Sequence, residues 1–264
     1  MDPRKKQQLL DKINTNDSTI TSISFYDNMI YNHAKDEFDY VEKQDRLDII
    51  DALINAKNTQ IVALAFAGNA FAENKEIGDD EAIQIAKLLK QKDALPNLQR
   101  LRFIGCNVSA SGAKAIAEGL KEKNLESLDF AFNNLQDQGA QALAQALVTH
   151  PTITFFDICS NNISENALKE FLKTVEKNST LTTLGVGHNL QDENAQAALN
   201  NQVKVLMNRN ALAAQNSAPN SGTVRTISDG FVNSNSGNTS VALNNESGLQ
   251  TRRDTKFRNL KVTI

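Results

Sequence analysis

Apolar residues return along this chain in one fixed pattern. An apolar residue is followed after two spacers by a second, after one more spacer by a third, and then by a polar turn position. The clearest copy is Leu125-Glu126-Ser127-Leu128-Asp129-Phe130-Ala131-Phe132-Asn133-Asn134-Leu135. Six copies align when the first apolar residue sets the register: Ile20, Ile61, Leu98, Leu125, Ile153 and Leu181. The fourth position then reads Ile23, Leu64, Leu101, Leu128, Phe156 and Leu184. The sixth reads Phe25, Phe66, Phe103, Phe130, Ile158 and Val186. Alternation at the fourth and sixth positions predicts a short strand with one face inward. Phe66, Phe103 and Phe130 are expected to stack as a core spine. The ninth position reads Asn28, Asn69, Cys106, Asn133, Asn161 and Asn189. A buried Asn at a sharp turn can pair backbone groups that have left the strand ladder. Cys fills the same slot as a small apolar residue with a weak donor.

Helical spacing follows each turn. Residues 79–89, 111–120, 137–147 and 165–172 place acids or small residues early and apolar residues at helical intervals. Gly112, Ala113, Gly139 and Ala140 are expected to let the helices approach the strand layer closely. One strand and one helix cannot bury their own apolar face, so the units must stack.

The copies at residues 98–108 and 125–135, with a period near 28, resemble the leucine-rich-repeat family in its ribonuclease-inhibitor-like subclass. The resemblance covers residues 19–207. It implies an α/β solenoid, with a curved parallel sheet inside and helices outside. The sixth copy carries Leu190-Gln191 where the others place a polar residue and then an apolar one, so distortion is expected there.

Around the repeats, residues 1–18 read as an N-terminal cap with a helix over 2–14, and 19–208 as the solenoid. Residues 31–45 are an insertion rich in charge and aromatics. Residues 46–56 read as a helix with Leu47, Ile50, Leu53 and Ile54 as its apolar stripe. Residues 192–207 are the closing helix. Residues 209–264 are rich in Asn and Ser, cannot bury enough surface to offset ordering entropy, and are expected to be disordered. The last stretch, 251–264, regains Phe257, Leu260, Val262 and Ile264 among basic residues, which suits a solvated end or a short docking or secretion signal.

Charge and chemistry narrow the function. The net charge is −3, but the tail from Arg209 carries seven basic and three acidic residues, which leaves the body at −7. A mildly acidic body without a basic stripe argues against a nucleic-acid partner. Cys106 and Cys159 lie two repeats apart, too far for a disulfide, and read as free thiols. No secretory leader or membrane span is evident. The expected location is the cytoplasm, or a host cytosol for a delivered effector. His33, His150 and His188 show no metal-ligand spacing. Phosphate-binding, dinucleotide-binding and nucleophile-elbow motifs are missing, so no catalytic, metal or cofactor residue is assigned. Asp129 and Asp157 on adjacent strands read as a solvated charge pattern rather than an acid–base pair.

A monomeric, non-enzymatic scaffold for a protein partner, of the bacterial effector or adaptor type, is therefore the expected function. The spacer positions of each strand face away from the core. They nominate Arg100, Arg102, Asp129, Phe155 and Asp157 as an exposed strip, with Ile104 and Phe132 at its rim. Arg102 and Asp129 are placed to pair across strands. By resemblance, two alternatives are a small-GTPase activator and an actin-capping scaffold. The basic tail weakens the first, and the want of a recognisable actin-binding helix ahead of the repeats weakens the second.

Overall fold

The computed structural model describes residues 1–27, 29–32, 37–68 and 77–217. They fall within one compact unit, Met1–Ala218. In chain order the elements are α1 (Pro3–Asn14), β1 (Ser22–Tyr26), β2 (Met29–Asn32), β3 (Glu37–Tyr40), α2 (Lys43–Asn55), β4 (Ala63–Ala67), α3 (Asp79–Lys90), β5 (Arg100–Ile104), α4 (Ala110–Gly119), β6 (Ser127–Asp129), α5 (Gln136–Leu147), β7 (Phe155–Asp157), α6 (Glu165–Val175), β8 (Thr183–Gly185) and α7 (Glu193–Ser217). The strands form one sheet in the order β3-β2-β1-β4-β5-β6-β7-β8. From β1 through β4 to β8 every pairing is parallel, and one row runs Ile23, Leu64, Leu101, Leu128, Phe156, Leu184. This is the register read from the sequence, and the architecture is a leucine-rich-repeat solenoid.

The core lies between this sheet and the helix layer. All fourth- and sixth-position residues are buried. The phenylalanine spine is one ring longer than expected: Phe25 stacks on Phe66 at 5.2 Å, Phe66 on Phe103 at 4.7 Å and Phe103 on Phe130 at 5.6 Å.

The ninth-position residues tie each turn to its predecessor. Asn133 Oδ1 accepts from the N–H groups of Cys106 and Val108, each at 3.0 Å, while its Nδ2 donates to the carbonyls of Phe103 and Phe130. Asn161 Oδ1 accepts from the Leu135 N–H at 3.2 Å, and its Nδ2 donates to Phe130 at 2.8 Å. Asn189 Oδ1 accepts from Asn161 and Ile163, and its Nδ2 donates to Ile158 and Val186. The sixth copy therefore keeps its ladder, contrary to the distortion expected from Leu190-Gln191. Cys106 is buried and donates from Sγ to the Ile104 carbonyl at 3.4 Å. Asn28 and Asn69 lie outside the described residues. Asn133→Ala should lower stability by about 1–3 kcal/mol, because Cys106 and Val108 would keep buried donors without an acceptor. Urea unfolding of the purified variant checks this, and an unchanged midpoint would contradict it.

Four expectations need correction. Residues 29–32 and 37–40 of the insertion region form an antiparallel hairpin that widens the sheet beyond β1, and α2 begins at Lys43. Its buried face is Arg46, Ile49, Ile50 and Leu53, with Leu47 and Ile54 only half-buried. The small residues seat helix against helix rather than helix against strand. A Cβ on Gly112 would stand 2.5 Å from Asp79 Oδ1 and 3.1 Å from Ala82 Cβ, and one on Gly139 would meet Ala110 and Ala113 at 3.2 Å. Finally, α7 runs past the expected boundary at 208 to Ser217, because Asn210 is buried and its Nδ2 donates to the carbonyls of Asn178 and Leu181. The stretch from 218 onward lies outside the described residues.

Candidate functional site: the helix-free face of the sheet

Helices α1 to α7 pack against one another in sequence on the core side of the sheet. The third, fifth and seventh strand positions face the other way. The third-position row reads Ser22, Ala63, Arg100, Ser127, Phe155, Thr183. The fifth-position row reads Ser24, Ala65, Arg102, Asp129, Asp157, Gly185. The expected residues therefore share one face, though not all are exposed. Arg100, Arg102, Ile104, Phe155 and Asp157 are half-buried.

Asp129 departs from expectation. It is only 8% exposed, and its carboxylate accepts the Ala131 N–H at 3.0 Å. Asp157 does the same for the Cys159 N–H at 2.8 Å. These acids fasten the ends of their own strands, so they are turn elements rather than a solvated charge pattern. Gly185 belongs to this arrangement, since a Cβ there would stand 2.5 Å from the Asp157 carboxylate. Burial lowers the Arg102 pKa, Asp129 opposes that shift, and Arg100 reinforces it by like-charge repulsion. The Arg102–Asp129 pairing is thus electrostatic across adjacent strands in register.

Phe132 stands at the rim, 38% exposed, with φ 61°. The turn imposes a left-handed backbone at this eighth position: Asp27, Gly105, Ser160 and His188 adopt φ between 50° and 66°. Gly, Asn and Asp tolerate that region, while a bulky aromatic ring there is strained.

Sequence reasoning missed a second set of turn ties, three residues ahead of the first apolar position in four of the six copies, with Leu95 and Glu122 at that offset in the other two. Asn58 Oδ1 accepts from Gln60 and Ile61 at 2.9 and 3.1 Å, and Asn178 Oδ1 accepts from Thr180 and Leu181 at 2.9 and 2.7 Å. Asp17 and His150 occupy the same offset. Asp17 accepts from the Thr19 N–H, and His150 Nδ1 accepts from Thr152 and Ile153 at 3.4 and 3.3 Å. The signal was a polar residue at a constant offset, obscured by its change of type. His150 is buried, and its Nε2 lies near the Leu120 and Lys123 carbonyls without a well-formed hydrogen bond.

Burial lowers the His150 pKa. The folded chain thus resists a proton that the unfolded chain accepts. Stability is full above about pH 6.5 and falls as pH drops from there through the folded-state pKa. Wild type should lose up to about 1.4 kcal/mol per pH unit from this group in that window. His150→Asn, which supplies an amide as at Asn178, should flatten the dependence of Tm on pH between about 7 and 5. An equal slope in both proteins would clear His150 of this role.

Among the described residues, no group of three or more His, Cys, Asp or Glu could hold a metal ion, and no helix is long and apolar enough to cross a membrane. Cys106 and Cys159 are free, and burial pushes both thiols up.

The sequence matches the leucine-rich-repeat family over residues 94–117 and 121–144, which are parts of two adjacent repeats. No curated protein matches the chain. Among solved structures, it is similar to leiomodin-1 actin-binding site 2, at 19% identity over 79% of this chain and 91% of that one, with a TM-score of 0.46. It is also similar to the tropomodulin C-terminal domain of Caenorhabditis elegans, at 12% identity over 80% of this chain and 96% of that one, again with a TM-score of 0.46.

Proposed function

We propose that this protein is a non-enzymatic scaffold that holds a polypeptide partner on the helix-free face of its sheet. The repeats build a continuous sheet, and its helix-free face gathers spacer side chains from successive strands that lie outside the core between sheet and helices. The observation that carries the reading is the grouping there of Arg100, Arg102, Ile104 and Phe155, with the strained, exposed Phe132 at the rim. Arg and aromatic residues are the types that dominate protein interfaces. The period near 28 and the full outer helix in each repeat support the ribonuclease-inhibitor-like subclass. Two free thiols suit a reducing compartment, the cytoplasm or a host cytosol.

Affinity capture with mass spectrometry tests this. Arg102→Glu and Phe155→Ala, in full-length protein with an unchanged far-ultraviolet circular dichroism spectrum, should each lose the partner that wild type retains. Full retention by both variants would overturn the assignment of the face.

A further inference from the structure

The sequence placed the binding strip at β5 to β7, but the hairpin moves its apolar weight to the other end of the sheet. Tyr26 pairs with Met29, Met29 with Tyr40, Tyr26 with Ala67 and Ala67 with Ile104. One row therefore crosses five strands on the helix-free face: Tyr40, Met29, Tyr26, Ala67, Ile104. Its length is about 19 Å at the usual strand spacing. Tyr31 shares this face by alternation with Met29, while Ile30 between them is buried in the core. All three tyrosines of the chain thus stand on the open side of β1 to β3. Tyr40 is 57% exposed and Met29 38%.

Cations border the row. Arg102 lies on the same face, separated from β1 by the small residues of β4, and interacts electrostatically with Tyr26. Arg100 stands two residues away on the same face, and its Nε is buried without a hydrogen-bond partner among the described residues. A tyrosine- and methionine-rich surface beside two arginines matches the composition of interface hot spots.

We propose that the hairpin row together with Arg100 and Arg102 forms a docking surface for an extended acidic peptide segment, whose carboxylates meet the arginines while apolar side chains lie on Tyr26, Met29 and Tyr40. This rests on the scaffold reading and names its partner's chemistry. Charge selects the occupant. Arg102 is already opposed by Asp129 on the neighbouring strand, so Arg100 is the cation that recruits a carboxylate, and a basic segment such as residues 251–264, with five basic residues and one acid, is disfavoured. About six extended residues span the row, so random peptides of about 12 residues are long enough to fill it.

The test is a phage selection of such peptides on the full chain. Synthetic versions free of Tyr and Trp are then titrated against it. With no Trp in the chain and all three tyrosines on this surface, tyrosine emission reports this site alone. Selected peptides should carry Asp or Glu next to apolar residues, change tyrosine emission on binding and bind more weakly as salt rises. They should lose about tenfold or more in affinity to Tyr40→Ala, Met29→Ala and Arg100→Gln. Met29 and Tyr40 are exposed, so their truncation spares the core. Peptides that leave emission unchanged and depend on Phe155 alone would overturn the docking surface and keep the wider scaffold reading. Peptides indifferent to both sets of variants would overturn both. No enrichment, or selected peptides lacking acids, would overturn the docking surface. So would a stronger emission change with a synthetic 251–264 peptide, which would make the chain's own end the occupant.

Discussion

Glu81→Ala should lower the unfolding free energy by about 3–5 kcal/mol, a large share of a domain's margin. Glu81 is the last of three acids in the first turn of α3, yet it is 1% exposed and its partner Arg46 is wholly buried. Arg46 Nε donates to Glu81 Oε1 at 3.0 Å, and its Nη1 donates to the Asp27 carbonyl at 3.0 Å. Glu81 Oε2 accepts from the Gly78 N–H at 3.0 Å. Both charges are therefore held by several hydrogen bonds, which offsets much of their desolvation cost. Removing the carboxylate leaves a guanidinium in the core facing an empty site. The double variant Arg46→Met with Glu81→Leu should recover most of the loss, since well-packed apolar residues often replace a buried pair at little cost. Urea melts of the three proteins test this. A single-variant loss below about 1 kcal/mol, the range of exposed pairs, would contradict it.

Phe103→Ala should cost a similar amount, about 3–5 kcal/mol. Its ring is fully buried between Phe66 and Phe130, so truncation opens a cavity that closes only if two neighbouring repeats shift. In a stacked array each unit is supported by its neighbours. Amide exchange should therefore quicken in β4 and β6 along with β5. A loss confined to β5, or a melt within about 0.5 kcal/mol of wild type, would remove the stack from the core account.

These two sites differ in how far the sequence disclosed them. Phe103 was legible because the strand pattern repeats with a period of two inside a constant frame, and one alignment fixes every inward residue at once. Asn133, Asn161 and Asn189 were legible for the same reason. Arg46 and Glu81 were not, because they sit in the irregular early copies, where no repeat constrains them. The apolar stripe read for α2, Leu47, Ile50, Leu53 and Ile54, holds at Ile50 and Leu53 but not at Leu47 and Ile54, since periodicity cannot tell which of several apolar positions faces the core when a buried ion pair shares it. His150 escaped because an imidazole and an amide can fill one turn by accepting the same two N–H groups. The proposed binding face was half legible. The outward list was right in orientation. It could not show that Asp129 and Asp157 turn back onto their own backbones, nor that a hairpin would set the tyrosines beside Arg102.

The claim that the helix-free face is the working surface is tested most directly by site-specific photocrosslinking. A photoreactive phenylalanine analogue placed at Phe155, Tyr40 or Thr183 samples that face, and one at Lys114 or Lys169 samples the exposed helix layer. Cell extract should give a partner adduct from at least one of the first three positions and none from the last two. Adducts from the helix layer alone would contradict the account.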